Sequence, residues 1–257
     1  NAQDSVEKNR GNDPVIAPQM KAKVKGAGLV WERLNSEVLR LTKGGDYERA
    51  LSVAEQALEV AEQSAGKGHP DVAVALNNLA RVHSKKEQYD KAVRYYKRAV
   101  EIYEKAPDKD DSNVAGSLNN LAVAYSRLDK VEMALPLYRR ALALYEKELG
   151  RDHPHVGSSL NNLAVVYDGK GDFAKAEPLY LRALEIKEKT LGKDHPGLVS
   201  TMNNLAMGES GEGGDSLDHR SMAPVSVLRH FPASSPFIFY SASAPAMISI
   251  SSVVIAA

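Results

Sequence analysis

The chain of 257 residues carries 33 basic and 33 acidic side chains and no cysteine. Balanced charge gives no global pull toward nucleic acid or an anionic membrane surface. The absence of thiols removes disulfides, thiolate metal sites and cysteine nucleophiles, and agrees with a reducing compartment.

In chain order, residues 1–28 are polar and interrupted by Gly11, Pro14, Pro18, Gly26 and Gly28, the composition of a flexible lead-in. They hold no apolar core of signal-peptide type and no sustained apolar heptads. The chain opens on Asn1 rather than Met, which reads as a fragment or a processed product. Apolar residues then recur at helical spacing over 29–43, and Gly44-Gly45-Asp46 ends that helix and starts another over 47–64. Ala50, Ala54, Ala57 and Ala61 fall on one face of this second helix.

Next comes a repeat. Leu-Asn-Asn-Leu-Ala begins at Leu76, Leu118 and Leu160, with a near-copy at Met202, so every interval is 42 residues. A fixed period of this size marks a solenoid of stacked supersecondary units. Each unit holds two helices, predicted over 71–85 and 89–105, 113–127 and 131–149, and 155–170 and 173–191. The first helix buries Leu76, Leu79, Ala80 and His83, with Leu118, Leu121, Ala122 and Tyr125 and then Leu160, Leu163, Ala164 and Tyr167 as equivalents. The second buries Tyr89, Ala92, Tyr96 and Ala99, and large and small residues alternate there as interdigitated helices require. Loops such as Gly150-Arg151-Asp152-His153-Pro154 join the units. Gly is expected to end one helix, Asp to cap the next and Pro to sit in its first turn.

Leu…Leu-Ala…Tyr on one helix and Ala…Tyr…Ala on the next resemble the tetratricopeptide repeat, whose usual length is 34 residues. The 42-residue form with Leu-Asn-Asn-Leu-Ala and Gly-x-Asp-His-Pro is similar to the kinesin light chain repeat. The resemblance implies an all-α, right-handed superhelical solenoid over residues 29–207. Its units are 29–70, 71–112, 113–154 and 155–196, with a half repeat at 197–207. It also implies a cytoplasmic, microtubule-associated adaptor whose partners are protein or peptide ligands, kinesin heavy chain or kinesin cargo among them. A general scaffold of the same family without a motor, or a truncated repeat product without a stable partner, are the alternative readings.

From Gly208 to Gly214 a glycine-rich run interrupts the pattern, and residues 208–257 are expected to form a disordered tail. The stretch from His230 onward carries no Asp, Glu, Lys or Arg, which raises a tail anchor. Pro232, Pro236, Pro245 and many serines argue against one.

No catalytic or cofactor motif is present. The glycine run lacks the Gly-Lys-Ser/Thr ending of a phosphate loop, and no Gly-x-Ser-x-Gly elbow occurs. Asp152-His153-Pro154-His155 and Asp194-His195-Pro196 read as helix-entry loops rather than zinc ligands. The sharp signal is a ladder of Asn77, Asn119, Asn161 and Asn203. By the resemblance this face lines the concave groove. Carboxamides there either pair with the main chain of an extended peptide or hydrogen-bond between units. Arg81 stands four residues beyond Asn77. Lys43, Lys85 and Arg127 repeat at 42-residue steps, and such a basic row suits an acidic peptide.

Overall fold

The computed structural model describes residues 27–209, and every element within them is helical. Unit one pairs α1 (Gly28–Gly44) with α2 (Tyr47–Ala65), and unit two pairs α3 (Pro70–Lys85) with α4 (Tyr89–Lys105). Unit three holds α5 (Asp111–Arg127) and α6 (Val131–Leu149); unit four holds α7 (Pro154–Gly169) and α8 (Phe173–Leu191). A 3-10 turn at Pro196–Leu198 leads into α9 (Val199–Glu209), the first helix of a half unit. Each helix packs on its neighbours in sequence, as a one-dimensional stack requires.

Three expectations need correction. The lead-in is not free up to residue 28: Ala27 is buried and its N–H donates to the buried Asp71 carboxylate (2.8 Å), tying the entry of α1 to the start of α3. At the other end α9 runs through Gly208 to Glu209, since a glycine in a last turn costs far less than one in a helix interior. The expected flexible lead-in at 1–26 and the disordered tail at 210–257, with its rejected anchor, lie outside the described residues.

The third correction concerns helix starts. The residue before proline is the N-cap, so histidine caps these helices where Asp152 and Asp194 were expected to. Its Nδ1 accepts the N–H two residues on: His69 from Asp71 (3.1 Å), His153 from His155 (3.2 Å) and His195 from Gly197 (2.9 Å). Where the His-Pro is lost, Asp110 takes the ordinary carboxylate role and accepts from the Ser112 N–H (2.8 Å).

The turn inside each unit needs one residue in the left-handed region. Gly45 and Gly171 meet that need at no steric cost, while Glu87 and Asp129 (both φ 58°) occupy the same position in units two and three. The alanine face of α2 is fully buried, and so are Ala92 and Ala99 of α4. These small residues let neighbouring helices close on the leucines and tyrosines of the first helices, and the buried residues form successive clusters along the stack.

Candidate functional site: the first-helix face

First helices of successive units meet directly, α1 with α3, α5 with α7 and α7 with α9. Second helices are joined chiefly by long charged side chains: Glu62 with Arg98, Glu104 with Arg140, and Glu146 with Arg182. A stack whose first helices touch while its second helices are spanned at arm's length curves with the first helices inside.

The inner face follows from the helical period. On α7 the stripe Val156, Leu160, Leu163, Ala164 and Tyr167 is buried, and α7 packs on α8. At about 100° per residue, the opposite face carries Ser158, Asn162, Val165 and Gly169. The same positions one unit earlier are Gly116, Asn120, Val123 and Arg127, and before those Val74, Asn78, Arg81 and Lys85. Unit one contributes Glu32, Ser36, Leu39 and Lys43. Three of the expected basic residues, Lys43, Lys85 and Arg127, therefore occupy one equivalent position in successive units and are exposed. Arg81 lies one turn back, half-buried, and donates to the Asn78 carboxamide oxygen at 2.9 Å.

The asparagine ladder sits differently from what an open groove needs. Asn77 and Asn119 are 5% and 0% exposed, turned toward the next unit. Asn77 Nδ2 donates to Ser117 Oγ (2.8 Å), and Asn161 Oδ1 accepts from Thr201 Oγ1 (3.0 Å), each on the following first helix. Asn119 Oδ1 accepts from Asn162 Nδ2 (3.3 Å), and Asn35 Oδ1 accepts in the same way from Asn78 Nδ2 (2.7 Å). Asn77, Asn119 and Asn161 thus clasp one unit to the next, and only Asn203 of the predicted four is exposed. The inner face instead carries the second asparagine of each pair. Asn78 and Asn120 are nearly covered, while Asn162 and Asn204 are half-buried.

The clasp has a signal in the sequence. Ser117, Ser159 and Thr201 stand just ahead of the repeat motif at the same 42-residue interval, and two of the three hydroxyls bond the asparagine of the preceding unit. The clasp between units three and four is less complete, since Asn119 Nδ2 and Ser159 Oγ are buried without a partner.

The histidines serve structure. His83 is buried, stacks on Tyr95 with ring centroids 5.4 Å apart, and its Nδ1 donates to Gln88 Oε1 at 2.8 Å. Burial holds its imidazole below the ordinary range. His155 is pressed against Tyr145 (5.3 Å between centroids), and burial, with a contribution from nearby His153, lowers it likewise. Among the described residues no three His, Cys, Asp or Glu side chains are grouped to hold a metal ion. No described helix is long and apolar enough to cross a membrane.

The profile of the tetratricopeptide repeat family matches residues 41–105, 113–189 and 169–214. Among solved structures, BtubC (BKLC) of P. vanneervenii is 30% identical, with a TM-score of 0.63 over 73% of this chain and 74% of that one. A kinesin light chain-like protein of Podosopora anserina, built of nearly identical TPR-like repeats, is 24% identical with a TM-score of 0.60, over 72% and 87% of the two chains. The apo form of RapI is 20% identical, TM-score 0.60, over 72% and 64%. The last two share the fold. No curated protein sequence matches significantly.

Proposed function

The chain belongs to the tetratricopeptide repeat family in its kinesin light chain-like form, a protein–protein interaction scaffold, and from that premise we propose that it binds extended acidic peptides along the inner face of its first helices. The observation that carries this reading is the row of Lys43, Lys85 and Arg127, exposed at one position of three successive units. An extended ligand crossing the first helices meets one cation per unit, and carboxylates answer them with charge-assisted hydrogen bonds. Asn162 and Asn204 can both donate to and accept from a peptide main chain whatever its sequence.

In this reading the protein works in the cytoplasm as an adaptor without enzymatic activity of its own. Its partners are kinesin heavy chain or a kinesin cargo, and the microtubule is where it is used. A pulldown with the full chain, scored for kinesin heavy chain against all other captured proteins, separates this adaptor from a scaffold without a motor.

The peptide reading is tested by fluorescence anisotropy with a labelled acidic peptide and a basic one of equal length. The acidic peptide should bind more tightly and weaken with salt, because exposed charges are screened beyond about 10 Å at 0.1 M. Lys85→Glu combined with Arg127→Glu should weaken it further while leaving the melting temperature nearly unchanged. Equal weak binding of both peptides would overturn the assignment.

A further inference from the structure

We infer that the ligand of this face is bipartite: a polyproline II-like segment with an acidic side chain at every third position over units one to three, followed at the same interval by an aliphatic side chain over Val165. The inference rests on the peptide reading above and adds to it a register and a second chemistry.

The cationic row ends abruptly. After Lys43, Lys85 and Arg127 the next equivalent position is Gly169, where a side chain would meet nothing within 4 Å. The adjacent row runs Leu39, Arg81, Val123, Val165, so its last two positions are branched and apolar. Val165 is 44% exposed; Leu39 of the same row is 39% exposed in unit one, but there Lys43 stands beside it, whereas Val165 has Gly169. Unit four therefore offers an aliphatic floor beside open space, where units one to three offer cations.

The interval follows from two repeats that match. Contacting helices lie about 8–10 Å apart. A polyproline II chain rises about 3.1 Å per residue with three residues per turn, so side chains three apart share one face and sit about 9.3 Å from each other. A β-strand, whose side chains alternate with period two, would turn every other one of these groups away. One turn of polyproline II per unit puts a side chain on each rung.

The test uses labelled peptides with aspartate at every third position and either leucine or serine three residues beyond the last aspartate, each made in both chain orders. They are titrated against the full chain and against Val165→Ser. The leucine peptide should bind about tenfold more tightly than its serine counterpart in one of the two orders, as a gain of about 1.4 kcal/mol gives. Val165→Ser should erase that difference, while Lys85→Glu should weaken both peptides alike. Moving the aspartates to every second position should also cost affinity. Equal affinity of the leucine and serine peptides in both orders, with salt-sensitive binding intact, overturns the bipartite ligand and leaves the acidic-peptide reading standing. Failure of every aspartate peptide to bind overturns that reading itself. Val165 is exposed, so the substitution should leave the melting curve in place; if it does not, Val165→Thr, which keeps the branched shape, carries the same test.

Discussion

The two layers of this array hold their units together by opposite means. Inside, between first helices, successive units are joined by neutral carboxamides and hydroxyls that are nearly dry, with Asn119 fully buried and Asn77 only 5% exposed. Outside, between second helices, they are joined by ion pairs in partial contact with water, such as Arg98 with Glu62 (39% and 24% exposed). Burying charges in the inner seam would cost several kcal/mol of desolvation per ion. A neutral amide satisfies the same geometric need with a smaller penalty.

The same difference between solvated ion pairs and buried amides shows in how each tolerates variation. At the turns inside the units, whose cations reach the second helix of the preceding unit, Lys86 meets Glu48 and Lys170 meets Glu132, but the intervening unit has Leu128 at that position, and Lys130 reaches Asp90 at 3.8 Å instead. A long, solvated side chain can answer from two residues away. A buried amide cannot, and Asn35, Asn77, Asn119 and Asn161 recur without displacement.

Four measurements can sharpen or break this contrast. The largest effect belongs to the core that both layers share: Leu121→Ala, at a site 4% exposed, should lose about 2–5 kcal/mol in chemical denaturation. A wild-type midpoint would show that the buried face of the first helices is misassigned.

The second is pH. His83 is buried and its folded-state value lies below the ordinary 6.5, so the unfolded chain binds more protons than the folded one once the pH drops below that value. Stability should be complete above about pH 6.5 and decline as the pH falls toward the folded value, with His155 contributing in the same direction. His83→Tyr installs the residue that Tyr125 and Tyr167 supply in the next units, and it should flatten part of this decline. Parallel melting temperatures of the variant and the wild type across pH 5 to 8 would remove His83 from the account.

The smallest effect is on the outer layer. Arg98→Ala should cost no more than about 1 kcal/mol, and high salt should shrink the difference, as for exposed ion pairs generally. A loss as large as that of a buried amide would erase the distinction between the layers.

Much of this was legible in the sequence, for a physical reason. The 42-residue period lets four copies report on one helix boundary, and the second helices of units two to four begin and end where the pattern places them. What the sequence left open, whether the asparagines bond a peptide or the next unit, depended on a single residue of register. One step along a helix turns a side chain by about 100°, so the first asparagine of each pair faces the next unit, while its neighbour lies toward the inner side, nearly covered in units two and three and half-buried in unit four. Periodicity fixes that a ladder exists without fixing which way it points; the hydroxyls of Ser117, Ser159 and Thr201 carried that information. The cap was misread for a similar reason, since proline's place at the first helical residue shifts the capping role from aspartate to histidine.

In the proposed reading the inner face divides its labour, with the first asparagines holding the array and the basic row meeting the ligand. Asn77→Ala tests it most directly, with melting temperature and acidic-peptide affinity measured on the same sample. The expected result is a lower melting temperature, equivalent to about 0.5–1.5 kcal/mol for the lost inter-unit hydrogen bond, since the Ser117 hydroxyl keeps its bond to the Asn113 carbonyl (3.0 Å), and an affinity unchanged wherever the protein is folded. An unchanged melting temperature with lost affinity would contradict it and return the asparagines to the ligand.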